Sequence, residues 1–216
     1  MKSILVVGLG NFGTYLSQNL IRLGNDVMVV DKNEDRLAPL VSIAASAQIG
    51  DCTNPEVLET LGIRNFDTCF VCIGGDFQSS LEITSLLKEM GAKYVVSKAT
   101  RDVQEKFLLR NGADEVIFPE RDISEKISMR FSSSNVFNYI ELTKDISIFE
   151  IPIMDSWIGK TIGEINIRQK YNVNILAIKQ GDITSPLPGA DHMFSANEHV
   201  MVIGRAPDVN RILKKI

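Results

Sequence analysis

The chain of 216 residues is poor in the side chains that most chemistry and most anchors need, with three cysteines, two histidines and one tryptophan. The odd set Cys52, Cys69 and Cys72, with no secretion signal, excludes a disulfide framework and implies reduced thiols. Cys69-Phe70-Val71-Cys72 spells C-x-x-C, but it lies in an apolar run that reads as a strand. Residues three apart on a strand point to opposite faces, so the pair reads as core rather than as a redox or metal site. No stretch approaches the ~20 apolar residues of a spanning helix. The early run Ile4–Val7 is too short for a signal peptide and passes straight into Gly8-Leu9-Gly10, as a first strand would. A cytosolic protein is expected, one that reaches a membrane only through a partner. A basic excess is also missing: 23 Lys and Arg face 27 Asp and Glu, a net charge of −4. That excludes the basic face of a general nucleic-acid binder and a polybasic lipid anchor. His192 and His199 have no neighbouring carboxylate pattern that suggests a proton relay, so both read as structural or solvent-facing. There is no P-loop, nucleophile elbow or metal-ligand cluster.

What is present is a strong alternation over the first 120 or so residues. Short apolar runs at Ile4–Val7, Val27–Val30, Ala47–Ile49, Cys69–Ile73, Tyr94–Val96 and Glu115–Phe118 are separated by amphipathic stretches. Helices are expected near Phe12–Leu23, Glu34–Ser46, Pro55–Leu61, Ser79–Met90, Val103–Asn111 and Arg121–Phe131. Gly24, Gly62, Gly91 and Gly112 each follow such a stretch, as helix stops do. This is the signature of an α/β fold, a Rossmann-like doubly wound parallel sheet with helices on both faces. The pattern then changes at the polar break Ser132-Ser133-Ser134-Asn135. Strands are expected at Phe137–Leu142, Ser147–Ile153, Val173–Lys179, Asp182–Ser185 and His199–Ile203, with helices at Thr161–Gln169 and Pro207–Lys214. A nucleotide-binding domain over residues 1–134, including a linker helix, and a small α+β domain over 135–216 follow. The second is near the lower size limit for independent folding, and it is expected to pair with a copy of itself.

Gly8-Leu9-Gly10-Asn11-Phe12-Gly13 is G-x-G-x-x-G. Here it follows a strand, opens a helix and lies in a βαβ unit that ends at Asp31, which is the context the motif needs. Gly8 permits the turn, Gly10 lets backbone approach a phosphate, and Gly13 lets the helix pack on the strand. The helix N-terminus offers N–H donors and partial positive charge to that phosphate. Asp31, with Lys32 beside it, can accept both ribose hydroxyls and would repel a 2′-phosphate, so NADP is not expected. Gly50-Asp51-Cys52-Thr53 follows the third strand, where Asp51 or the Cys52 backbone can meet the adenine. Asp51 and Thr53 are equally good caps for the next helix, and both readings stand. Ile73-Gly74-Gly75 leaves room for a ribose or phosphate, or forms a plain loop. Lys98, at the end of the fifth strand, faces the crevice where such sheets bind ligands.

Tyr94-Val95-Val96-Ser97-Lys98 spells the Y-x-x-x-K of short-chain dehydrogenases, but those enzymes carry it on a helix and this segment reads as a strand. A nucleotide site without visible catalytic groups favours a sensor over an enzyme. An NAD-dependent oxidoreductase of unknown substrate is the alternative, and a nucleotide-binding scaffold without a switching role is a third.

Several stretches resemble one family along both domains. They are Val6–Gly13, Leu61-Gly62-Ile63-Arg64-Asn65-Phe66-Asp67, Phe118-Pro119-Glu120-Arg121-Asp122, Asn135-Val136-Phe137-Asn138-Tyr139-Ile140, Ile165-Asn166-Ile167-Arg168-Gln169-Lys170-Tyr171 and Ile175–Lys179. The sequence is similar to the RCK (TrkA-N/TrkA-C) regulatory subunits of bacterial Ktr/Trk potassium uptake systems, closest to the Ktr branch. The resemblance implies octameric rings at the inner face of the membrane, bound to a membrane-embedded potassium-translocating subunit. It implies that ATP and ADP exchange reshapes the ring and gates the pore, and that the helix after the sixth strand links the lobes. Glu120 matches the glutamate that helps hold a divalent cation such as Mg near the phosphates; a helix-start carboxylate favoured by the dipole is the plain reading of it. Ile162, Arg168 and Asn174 match positions that bind cyclic di-AMP in some relatives, although Arg168 also reads as a surface helix residue. Asn11 departs from the family, which commonly has arginine there to read a terminal phosphate. A neutral amide cannot make that charge-assisted bond, which keeps NAD(H) and AMP open beside ATP and ADP.

Overall fold

The computed structural model describes residues 1–132, 137–143 and 145–215. The chain forms two compact units, Met1–Glu120 and Arg121–Ile216. The expected boundary at 134/135, with the polar break from Ser133 to Asn135, lies outside the described residues, as does Val136.

In the first unit six parallel strands, β1 (Ser3–Val7), β2 (Asp26–Asp31), β3 (Ser46–Ile49), β4 (Thr68–Val71), β5 (Val95–Lys98) and β6 (Glu115–Ile117), lie in the order β3-β2-β1-β4-β5-β6. The near-continuous apolar runs arise because both faces of the sheet are covered. Ile4, Val6, Val27 and Val29 pack against Leu37, Leu40 and the apolar side of α1 (Asn11–Arg22). Leu5, Val7, Val30 and Val71 point the other way, onto Leu58 and Leu61 of α3 (Pro55–Leu61) and Ile83 and Leu87 of α4 (Phe77–Glu89). Cys69 falls in the second cluster and Cys72 in the first, so the C-x-x-C letters lie on opposite faces, as their spacing implied. Burial pushes both thiols up to about 12, which leaves them protonated and inert. The strand order reverses between β1 and β4, and this switch point opens the crevice at the carboxyl ends of the strands.

Local chemistry sets the helix ends. Asn54 caps α3 by accepting from the Glu56 N–H at 3.0 Å, with Pro55 in the first turn and left-handed Gly62 (φ 67°) at the end. The cap expected at Asp51 or Thr53 is therefore supplied by Asn54, the residue directly before Pro55. Asp76 caps α4 through the Ser79 N–H at 3.1 Å. The helix expected over Glu34–Ser46 stops early, as α2 (Glu34–Leu37). Pro39 has no N–H to continue the ladder, and the chain turns instead with Leu37 and Leu40 buried. The remaining helix of this unit is α5 (Asp102–Arg110).

The second unit takes up α6 (Pro119–Ser132), which starts at the end of the first. Strands β7 (Asn138–Glu141), β8 (Ser147–Pro152), β9 (Asn174–Gln180), β10 (Ile183–Pro186) and β11 (Glu198–Gly204) form an antiparallel sheet in the order β10-β9-β11-β8-β7. Gly181-Asp182 closes the β9–β10 hairpin, with Gln180 paired to Ile183. One face carries a core of Ile151, Trp157, Phe194, Val200 and Val202 with Val209 and Ile212 of α9 (Ala206–Leu213). The single helix expected at Thr161–Gln169 is two short ones, α7 (Ile162–Ile165) and α8 (Ile167–Tyr171). Asn166 separates them at φ 51°, a left-handed conformation that asparagine tolerates.

At the end of the first sheet remote from Gly8, Asp114 accepts from the β5 N–H of Val95 at 2.8 Å and from the Lys88 ammonium at 2.7 Å. Burial pushes this carboxyl up, but the bonds from Lys88 and Val95 and the Lys88 charge outweigh it and hold it below the usual carboxylate range. Its stabilising contribution is therefore complete above about pH 4 and is lost as pH falls through the folded value. Asp114→Asn should lower the melting temperature at neutral pH and flatten its decline between about pH 5 and pH 3, read by circular dichroism melts across that range.

Candidate nucleotide-binding crevice

The glycine turn is built on backbone contacts. Gly8 takes φ 92°, and a Cβ on it would press on Ile73 and the Cys72 carbonyl carbon at 2.9 and 3.3 Å. A Cβ on Gly13 would collide with the Gly8 carbonyl oxygen, so α1 can lie against this turn only with glycine there. Gly10 is different. Its backbone (φ −66°, ψ −177°) suits any residue, and the place of its missing Cβ is open space. Gly10 also stands at the N-cap of α1 and offers no side-chain cap, whereas Asn33, Asn54 and Asp76 cap α2, α3 and α4. The first N–H groups of α1 are thus left to an outside acceptor, at a helix end that favours negative charge.

Asp31, at the end of β2, is 5% exposed. One carboxylate oxygen accepts from the Leu9 N–H at 2.6 Å, the other from the Asn33 N–H at 2.8 Å, and Arg36 stands 3.6 Å away. Asp31 therefore ties the glycine turn to β2 as well as presenting a carboxylate to the crevice. The cavity here has a volume of about 550 Å³, in the range of small-molecule and cofactor sites.

Of the residues singled out from the sequence, Gly8, Gly10, Asn11, Phe12, Asp31, Lys32, Asp51, Cys52, Ile73, Gly74, Lys98 and Glu120 line this cavity. Gly13 and Thr53 do not. Gly13 supports the turn from behind, and Thr53 binds Asp51 through its N–H at 3.0 Å and its hydroxyl at 2.8 Å. Those two bonds, with the Lys32 charge, hold the Asp51 carboxyl below its ordinary range. Burial first, then the charges of Asp51 and Asp31, push the Cys52 thiol up to about 12, so it serves as a wall and not as a nucleophile. Lys98 is 10% exposed at the side chain and donates to Glu120 at 2.5 Å; its ammonium lies 5.5 Å from the centre of the Phe12 ring. Burial pushes Glu120 up, but Lys98 and a backbone bond keep it below the usual range. Among the described residues no group of three His, Cys, Asp or Glu could hold a metal alone, so a cation at Glu120 would need phosphate oxygens as further ligands.

Sequence reasoning missed Arg36, Asp76, Ser79 and Thr100 in the lining. Arg36 lies five residues beyond Asp31, in the first turn of α2, whose Asn33 cap starts the helix beside the strand end. Thr100 lies two residues beyond Lys98, a signal that the strand end could have supplied. Tyr94 precedes β5 and Lys98 ends it, and the Tyr94 hydroxyl donates to Glu115 at 3.1 Å, so they form no dyad. In the second unit the fold gives each histidine a buried carboxylate the sequence did not reveal: His192 lies 3.3 Å from Glu198, and His199 3.3 Å from Glu150. Ile162 is half-buried at the start of α7, and Arg168 and Asn174 are exposed, on α8 and at the start of β9.

The parallel sheet, the uncapped helix behind a glycine turn and the carboxylate ending β2 define a Rossmann-like α/β protein with an appended small α+β unit. The chain matches the TrkA-N domain family over residues 4–119 and the TrkA-C domain family over residues 146–216, and it belongs to that family, in its Ktr branch. It is 38% identical to Ktr system potassium uptake protein C of Bacillus subtilis, with 100% of this chain and 97% of that protein aligned. It is also 38% identical to Ktr system potassium uptake protein A of the same organism, over 97% of this chain and 95% of that one. Among solved structures, the GsuK channel bound to NAD matches 98% of the chain with a TM-score of 0.68 at 17% identity, a likeness of fold, and the chain spans 39% of that protein.

Two glycines separate fold from site. Gly10→Ala should leave stability within about 0.5 kcal/mol of wild type, because its Cβ meets nothing, and weaken adenine-nucleotide binding by about tenfold or more. Gly13→Ala should cost about 1–3 kcal/mol of stability through the clash with Gly8. Denaturant melts and calorimetric titrations of both variants check this; equal loss of stability in the two would contradict it.

Proposed function

We propose that this chain is the nucleotide-sensing regulatory subunit of a Ktr-type potassium uptake system, acting at the inner face of the membrane through a membrane-embedded potassium-translocating partner. The uncapped N-terminus of α1 beside the open space at Gly10 is the observation that carries the nucleotide reading, and the full-length similarity to Ktr potassium uptake proteins carries the rest. No helix among the described residues is long and apolar enough to cross a membrane, consistent with the partner supplying the pore. The phosphates take the N–H groups of the α1 turn, the ribose meets Asp31, and the adenine lies over Asp51 and Cys52. ATP and ADP are the favoured ligands, with NAD(H) or AMP as alternatives because Asn11 brings no charge. A divalent cation such as Mg bridges Glu120 and the phosphates, and cyclic di-AMP binds at Ile162, Arg168 and Asn174. Residues 1–134 do the sensing, and 135–216 pair with a copy, in a ring of eight. A ligand works this switch only by binding one ring shape more tightly than the other.

The oxidoreductase alternative loses its support from Tyr94 and Lys98, because the Tyr94 hydroxyl donates to Glu115 ahead of β5 while Lys98 ends that strand beside Glu120. A regulator needs no proton-transfer group beside the nucleotide.

A thermal-shift panel tests the proposal, using ATP, ADP, AMP, NAD, NADH and cyclic di-AMP, each with and without magnesium, on wild type, Asp31→Ala and Gly10→Ala. A ligand at 100 times its Kd adds about 2.7 kcal/mol, a rise of about 5–11 °C for a chain of this size. The expected result is a rise with ATP or ADP that Asp31→Ala loses and that Gly10→Ala cuts to about half or less. No rise with any adenine nucleotide would sink the reading, and turnover of NADH with any substrate would replace it with an enzyme.

A further inference from the structure

The cavity is lined by four carboxylates, Asp31, Asp51, Asp76 and Glu120, against three cations, Lys32, Arg36 and Lys98. A polyphosphate entering it needs a cation, and Asn11 supplies none. Lys32 and Arg36 both follow β2, and Arg36 stands 3.6 Å from Asp31. Among the described lining residues, Lys98 is the cation on the other side of the switch point. Its ammonium stands between three elements. Phe12, in the first turn of α1, is 5.5 Å away, the place of a Cβ on Gly74 is 3.6 Å away, and Glu120 accepts from it at 2.5 Å.

We infer, on the nucleotide reading above, that Lys98 is the residue that distinguishes the number of phosphates on the nucleotide, and that Glu120 is a placeholder that a terminal phosphate displaces from Lys98, which frees its carboxylate for a divalent cation where one is present. The two ends of this ion pair differ in freedom. The Lys98 side chain is 10% exposed and cannot leave its place to be hydrated, while the Glu120 side chain is 60% exposed and can turn into water at little cost. A phosphate arriving from the α1 turn takes over the ammonium. The buried cation stays paired throughout, which removes the main penalty of breaking such a pair. A nucleoside or monophosphate that ends at the α1 turn leaves the Lys98–Glu120 pair closed.

The inference predicts opposite signs for the two partners of one ion pair, which a merely structural bridge would not give. Isothermal titration calorimetry of the full chain with adenosine, AMP, ADP and ATP, without divalent cation, reads this directly. Wild type should gain affinity along the series. Lys98→Met should bind ADP and ATP about tenfold or more weakly and adenosine as wild type does, so that the series flattens. Glu120→Gln should bind ADP or ATP about two- to fivefold more tightly, because the competitor for Lys98 is gone. A Lys98→Met series as steep as wild type, or a Glu120→Gln protein that binds ADP as weakly as Lys98→Met does, would overturn the inference. Adenosine binding with no gain from added phosphates overturns the inference and leaves the nucleotide reading standing, whereas binding of none of the four ends both. If Lys98→Met does not fold, the change at the exposed Glu120 decides alone.

Discussion

The approach of α1 to the turn after β1 is the constraint on which the first unit rests. Gly13 has no Cβ because the Gly8 carbonyl oxygen occupies that place, and Gly8 has none because Ile73 and Cys72 of the neighbouring strand end do. These contacts bring three backbones together at the switch point between β1 and β4. They aim the start of α1 across the crevice and leave its first donors without a side-chain cap. A helix set one methyl group further out would neither close the core of Ile4, Val6 and Leu16 nor present its N–H groups at the same place.

The charges around that turn are arranged so that most carboxylates already have partners. Asp31 is held by the N–H groups of Leu9 and Asn33, Asp51 by Thr53, and Asp76 by Ser79. Carboxylates engaged in this way are fixed in orientation. Glu120 differs in that its side chain is 60% exposed and paired with a buried lysine, and on the inference above that pair is the one an incoming anion exchanges. The crevice thus combines a rigid half at β2 and α1 with an exchangeable half at β5 and the start of α6.

The second unit builds its polar contacts differently. Glu150 is buried on β8 and receives Lys179 of β9 and His199 of β11 at 3.1 and 3.3 Å, with Phe137 stacked on the imidazole at 4.1 Å. Glu198 is buried as well and accepts from the Ser195 N–H beside His192. The Glu150 cluster joins strands far apart in the sequence, at positions that alternate with the core residues Phe149, Ile151, Ile178 and Val200. Its hydrogen bonds hold the register of β8, β9 and β11, which a slipped strand would break.

Periodicity and glycine placement determined the order of elements, the parallel sheet, the glycine turn and the carboxylate ending β2. They did so because each depends on residues near one another in the chain, such as Gly8 to Gly13 or Asn54 to Pro55. Local chemistry was also enough to keep Cys69 and Cys72 apart on two faces. The tertiary structure alone decided the rest. It ended α2 at Leu37, split the expected helix at Asn166, and gave His199 a glutamate from a distant strand. It also joined Lys98 to Glu120 across two strand ends. Such pairings follow from which strand lies beside which, and β-sheet order is set by packing across the whole core, which no short window of sequence contains.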